Sequence, residues 1–237
     1  MRLEQLFQQI DHYMKGSSIW ESRGMISTLL EIIAIFSRND LKSEILKEID
    51  RHLAVLGKMT SKENIDPFKL RSVLSKLTTI GEDLYSTPGK IGNSLMENEL
   101  FKCISQRNSI PGGTCAFDLP AYHYWLQLDV VLRKRDMDNW MQPFSAIRTA
   151  IDLLLNFIRQ SANPTKELGA AGFYQKSLDH SLPFQLLRVG LERSSPYYAE
   201  ISGGKHRFTV RFMQSNGDER PAQSVGDVGF LLTCCLL

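Results

Sequence analysis

The chain has 237 residues, 43% hydrophobic and 23% charged, with 28 lysines and arginines against 26 aspartates and glutamates for a net charge of +2. Such a composition is ordinary for a globular chain able to bury a proper core, and so small a net charge excludes a global field that would draw the protein onto DNA or anionic lipid. No apolar run approaches the ~20 residues that span a bilayer and the N-terminus lacks the pattern of a signal peptide, so the expected location is the cytoplasm.

The first hundred residues carry helical patterns. Leu3, Leu6, Phe7, Ile10, Tyr13 and Met14 recur at steps of three and four, which draws one apolar stripe down a helix. Ser18 and Glu21 form the spacing of a capping box ahead of Ile26, Leu29, Leu30, Ile33 and Phe36. Asp40 is placed to cap a third helix, with Leu41, Ile45, Ile49, Leu53 and Leu56 on its buried side. Asp66 followed by Pro67 starts a fourth, because proline fits the first turn, and Leu70, Val73, Leu74, Leu77, Ile80 and Leu84 continue it. After the breaker STPGKIG at 86–92, Ser94 and Glu97 predict another capping box for a short helix through Leu100, Phe101 and Ile104.

Organisation changes at SIPGG, residues 109–113, where proline and two glycines end the helical run. The aromatic and branched segments 115–119 and 122–128 read as strands, split by the turn signal Asp118, Leu119, Pro120. A long helix returns from about 138 to 160 on Trp140, Phe144, Ile147, Ile151, Leu154, Leu155 and Ile158, closed by Asn163 and Pro164. Strands follow at 184–192, 198–202, 206–213 and 228–235. The expected fold class is α+β: a helical domain at 1–108, the first part of a mainly antiparallel β-domain at 109–135, a helix at 136–163 returning to the helical domain, and the remainder of the β-domain at 164–237.

Within the last part, KHRFTVRFM at 205–213 alternates with a period of two. In a strand, Phe208, Val210 and Phe212 face a core while Lys205, Arg207, Thr209 and Arg211 face outward. At roughly 3.3 Å per residue that outer row spans about 20 Å, enough for an extended acidic peptide or a few phosphates. A solvated sheet face has the same pattern.

Catalytic and cofactor motifs are missing from the sequence. There is no P-loop, no dinucleotide glycine fingerprint, no H-E-x-x-H and no G-x-S-x-G. No carboxylate pair is placed for acid and base work. His12 and His52 fall in helical patterns where a polar surface position is the default, and His123 falls in the second predicted strand as a half-buried histidine. Cys103, Cys115, Cys234 and Cys235 make no C-x-x-C pair and read as small apolar residues of a reducing compartment, the last two on opposite faces of a strand. The chain reads as neither an enzyme nor a metal or cofactor protein.

SIPGGTCAFDLPAYHYWL at 109–126, LNFIRQSA at 155–162, GFYQ at 172–175, ISGGKHRFTVRFM at 201–213 and a closing TCC at 233–235 occur in one order across nearly the whole chain. Together they resemble the ZapD family of Z-ring-associated proteins of bacterial cell division. The resemblance implies a helical domain plus a β-domain, a homodimer joined mainly through the helices, and a β-domain pocket that takes the C-terminal tail of FtsZ, so that a dimer bundles filaments at the midcell division ring. It also implies residues for the pocket: Lys205, Arg207 and Arg211 match basic strand positions, His123 a pocket position and Arg38 a basic residue at the lip. Arg107, two positions before SIPGG, is added from its own position; partnering the free carbonyls of a helix C-terminus is its other reading. Two departures stand out. Family members usually carry residues before this first helix, including a β-domain strand, and Glu99 stands where some relatives have arginine.

Other classes remain for comparison. A single-stranded nucleic-acid module, or another acidic-ligand module, would use the same arginines, but stacking aromatics are needed beside them and Phe208 and Phe212 fall on the opposite face. A small-molecule enzyme would need a second catalytic partner near His123, and no spacing supplies one.

Overall fold

Gly16, Ser17 and Ser18 alone separate α1 (Arg2–Lys15) from α2 (Ile19–Arg38), so the two helices must return on one another as a hairpin. Leu3, Phe7 and Ile10 of α1 are buried, as are Met25, Ile26, Leu29, Ile32 and Phe36 of α2. The turn is fixed by the capping box expected from the sequence: the Ser18 amide donates to Glu21 Oε2 at 2.8 Å and the Glu21 amide donates to Ser18 Oγ at 3.2 Å. Hydrogen bonding from Ser18, its amide first, holds the Glu21 carboxyl below its ordinary pKa.

The computed structural model describes residues 1–38, 40–58, 67–204 and 206–236. It divides into two units, Met1–Leu154 and Leu155–Leu237. In the first, Asp40 caps α3 (Leu41–Gly57) by accepting from the Ser43 amide and hydroxyl at 3.3 and 2.6 Å. α4 (Pro67–Ser86) packs back on α3 with Leu70, Leu77, Ile80 and Leu84 buried. Asp66, the expected cap of α4, lies outside the described residues.

Three local expectations are corrected. The box expected from Ser94 and Glu97 does not open a helix: Asn93–Glu97 winds as a 3-10 turn, and Asn98 caps α5 (Glu99–Arg107) by accepting from the Leu100 and Phe101 amides. Asparagine is as strong a cap as serine, and it stands directly before the helical stripe.

The segment 109–135, expected to open the β-domain with strands at 115–119 and 122–128, contains no strand. Residues 110–118 form turns, and Pro120 at the first helical position starts α6 (Pro120–Leu126). Tyr122, Trp125 and Leu126 have helical i, i+3, i+4 spacing and are the buried members. Their aromatic content suggested a sheet, but packing decides: Trp125 lies 5.1 Å from Trp140, which meets Phe101 edge-on at 4.6 Å.

The helix expected at 138–160 is two helices, α7 (Val130–Met141) and α8 (Ser145–Gln160), joined by a 3-10 turn at Gln142–Phe144. Pro143 lacks an N–H and clashes with the preceding turn, so a continuous helix cannot pass it. Both halves complete the helical unit. The guanidinium of Arg133 on α7 is buried and donates to the carbonyls of Leu128, Ser17 and Ser18 and to the Ser22 hydroxyl. Arg148 on α8 makes a two-pronged bond to Asp11 of α1 at 2.9 and 2.5 Å. The molecule is therefore α+β, with an N-terminal helical part completed by later helices and an antiparallel β-part at the C-terminal end.

The second unit contains β1 (Thr165–Gly169), β2 (Phe173–Ser177), β3 (Phe184–Gly190), β4 (Tyr197–Gly203), β5 (Arg207–Asn216), β6 (Glu219–Gln223) and β7 (Val228–Leu236). One sheet runs β1-β7-β3 and the other β2-β5-β4, with β6 also paired to β5; every pairing is antiparallel. Phe208, Val210 and Phe212 of β5 meet Val228, Phe230 and Leu232 of β7 in the core. Consecutive β1 and β2 belong to different sheets. The chain changes sheet through Ala171 and Gly172, both at positive φ, and a Cβ on Gly172 would stand 2.6 Å from the Ser224 carbonyl oxygen. The four cysteines are unpaired, and burial pushes the thiols of Cys234 and Cys235 above their ordinary pKa.

Candidate partner-binding face

Strand β5 sorts its side chains as its alternation requires. Phe208, Val210 and Phe212 are at most 4% exposed, while Arg207 and Arg211 are exposed on the opposite face with Thr209 between them. Burying three large apolar groups fixes the register, because a one-residue slip would turn them all to solvent. The two arginines are thus held four residues apart, about 13 Å along the strand. Among the described residues neither forms an ion pair.

The register adds neighbours that the sequence alone did not place. Arg211 is paired with Phe173 on β2 and with Glu200 on β4; Thr209 with Gln175 and Ser202; Arg207 with Ser177. Tyr198 is paired with Met213 one step further. Paired residues share a face, so the surface around Arg211 combines a guanidinium, an exposed carboxylate and two exposed aromatic rings, Phe173 and Tyr198. Backbone and hydroxyl groups of Ser177, Thr209 and Ser202 supply neutral hydrogen-bonding partners alongside.

The other residues singled out from the sequence belong to the helical unit or lie outside the described residues. Lys205 is outside the described residues. His123 is exposed on helix α6 rather than half-buried in a strand, next to the buried Tyr122. Arg107, in the last turn of α5, is engaged by Asp118 at 3.4 Å, so part of its charge is already answered within the 108–119 turn. Arg38, in the last turn of α2, lines a groove between α1 and α2 of about 730 Å³ with Arg2, Gln5, Gln9 and Glu31. Arg2 is a cation of this groove that the pattern of the sequence did not single out. The signal was available in the three-residue loop at 16–18, which brings the start of α1 back beside the last turns of α2.

Arginine can hold a carboxylate or phosphate through two parallel bonds, and exposed aromatics beside it can cover the apolar residues of a peptide. The β5 face offers both on a rigid ladder. Among the described residues there is no cluster of histidine, cysteine, aspartate or glutamate suited to a metal ion, and no helix long and apolar enough to cross a membrane.

Comparison with known proteins agrees with the resemblance. A family model described as ZapD, a cell division protein, matches residues 1–211. The chain is 49% identical over 237 residues to the cell division protein ZapD of Methylococcus capsulatus, covering all of this chain and 93% of that relative. It is 34% identical over 238 residues to the ZapD of Nitrosomonas europaea, covering all of this chain and 90% of the relative, and 36% identical over 236 residues to that of Ralstonia pickettii, covering 99% and 93%.

Proposed function

This chain belongs to the ZapD family of cell division proteins, and we propose that it acts in division as a non-catalytic factor that binds the C-terminal tail of FtsZ and, as a homodimer, bundles FtsZ filaments at the midcell ring. The observation that carries the reading is the exposed pair Arg207 and Arg211 above a buried Phe208, Val210 and Phe212. A tail carboxylate meets one guanidinium, and Phe173 and Tyr198 cover apolar residues of the same extended segment. Lys205, next in the alternating sequence pattern, is a further candidate contact. Arg38 with Arg2, His123 and Arg107 are further candidate contacts on the helical unit.

Ordering a flexible tail costs free energy on binding, so each site is modest in affinity and two linked sites are needed to hold neighbouring filaments. Weak, repeated contacts suit a ring that must remodel.

One observation favours a second reading. Phe173 lies beside Arg211 and Tyr198 shares their outward face, the combination used to stack single-stranded nucleic acid. Glu200 on the same face opposes a polyanion. Fluorescence anisotropy decides between them: a labelled FtsZ tail peptide gains anisotropy with the wild-type protein and not with Arg211→Glu, while a labelled oligonucleotide gains none. Retention of the oligonucleotide with no response to the peptide would establish the second reading instead.

A further inference from the structure

In the helical unit, Trp20 is 72% exposed on α2. It stands at the rim of a cleft of about 330 Å³ whose lining includes Arg23, Ser27, Ile104, Asn108 and Tyr122. Arg23 is held in place there. Its Nη2 donates to the Thr114 carbonyl oxygen at 2.9 Å and to Thr114 Oγ1 at 2.7 Å, and its guanidinium carbon lies 5.2 Å from the Tyr122 ring centre and 5.9 Å from that of Trp20. Nε and Nη1 form no hydrogen bond among the described residues.

We infer that this cleft is a second peptide-binding site, which takes an aspartate or glutamate side chain on Arg23 and an adjoining large apolar residue against Trp20. Charge decides the ligand class. Arg23 is the one charged side chain in the described lining, so a singly charged carboxylate is neutralised, while a phosphate of nearly two charges is left half-answered. Thr114 and Tyr122 fix the guanidinium before a ligand arrives, which lowers the ordering cost of binding. Tyr122 contributes a neutral ring: burial pushes its hydroxyl up to about 12, with Arg23 acting in the opposite direction. Ile104 and Ile26 supply the apolar floor. The cleft's lining includes none of the residues proposed above to contact FtsZ.

The other tryptophans, Trp125 and Trp140, are buried, so Trp20 is a nearly selective reporter. The full chain is titrated with acetyl-Leu-Asp-Leu-amide and with its uncharged counterpart acetyl-Leu-Asn-Leu-amide while tryptophan emission is recorded. The aspartate peptide produces a saturable blue shift, the asparagine peptide binds at least about tenfold more weakly, and Trp20→Phe abolishes the signal. Arg23→Gln shows the same loss as the asparagine peptide, and Thr114→Val, which removes one bond to the guanidinium, weakens binding while retaining the melting transition. Arg207→Glu combined with Arg211→Glu leaves the shift unchanged. Equal responses to the two peptides, saturation by inorganic phosphate in their place, loss of the signal in the Arg207/Arg211 double variant, or a protein-concentration-dependent shift without peptide would each overturn the assignment.

Discussion

Glu200 on β4 stands directly opposite Arg211 on β5 in the antiparallel ladder, with both side chains exposed. The pair sets a limit on the cationic face: one of its two described arginines has a carboxylate as neighbour. An exposed opposite-charge pair contributes about 0.2–1 kcal/mol. Replacing Glu200 with glutamine therefore raises affinity for the FtsZ tail by up to about fivefold while leaving the fold intact. Peptide anisotropy and a thermal melt on the same preparation measure both.

Salt is the second lever. The proposed contacts are exposed, so their attraction is screened once the Debye length falls to about 10 Å at 0.1 M salt and below. Tail affinity declines steadily from low to high ionic strength, and Arg207→Gln shows a shallower decline than wild type. Titrations at several salt concentrations measure the slopes; equal slopes would mean that Arg207 does not face the ligand.

Arg133 is a buried cation satisfied by four oxygens across the 17–22 turn and the end of α6. Arg133→Met leaves those carbonyls without their donor and costs about 2–4 kcal/mol in urea unfolding. Lysine, a point charge without the planar fork, recovers only part of the loss.

His52 gives a signed pH dependence. It is fully buried on α3, its Nδ1 2.8 Å from the Glu48 carbonyl oxygen, and burial holds its pKa below the ordinary value, with Arg51 adding to the depression and Glu48 opposing it. The unfolded chain thus takes up a proton more readily than the folded one. The stabilisation is complete above about pH 6.5 and is lost as pH falls from there through the folded value. The melting temperature declines as pH falls below about 6.5, and His52→Leu flattens that part of the profile.

Much of this was legible in the chain itself. The capping box at Ser18, the Asp40 cap and the faces of β5 follow from local chemistry, and each is present as expected. Local propensity misleads where packing or backbone covalency overrides it. Tyr122 and Trp125 look like strand residues until Trp140 and Phe101 give a helix something to pack on. Pro143 interrupts a stripe whose apolar spacing continues past it. β1, β2 and β6 escaped because they are short and mostly polar or exposed, so no buried row marks them. The candidate face was legible along one strand only. Phe173, Glu200 and Tyr198 come from other strands, and cross-strand register is not written in any single segment. Arg2 and Arg38 likewise meet through a helical return.

The most direct test is low-speed sedimentation of FtsZ polymers with the purified protein, because only bundles pellet under those conditions. Wild-type protein brings FtsZ into the pellet and co-sediments with it; tail-deleted FtsZ stays in the supernatant, as does intact FtsZ mixed with Arg207→Glu/Arg211→Glu protein that melts like wild type. Bundling of tail-deleted FtsZ, or full bundling by the double variant, would contradict the account.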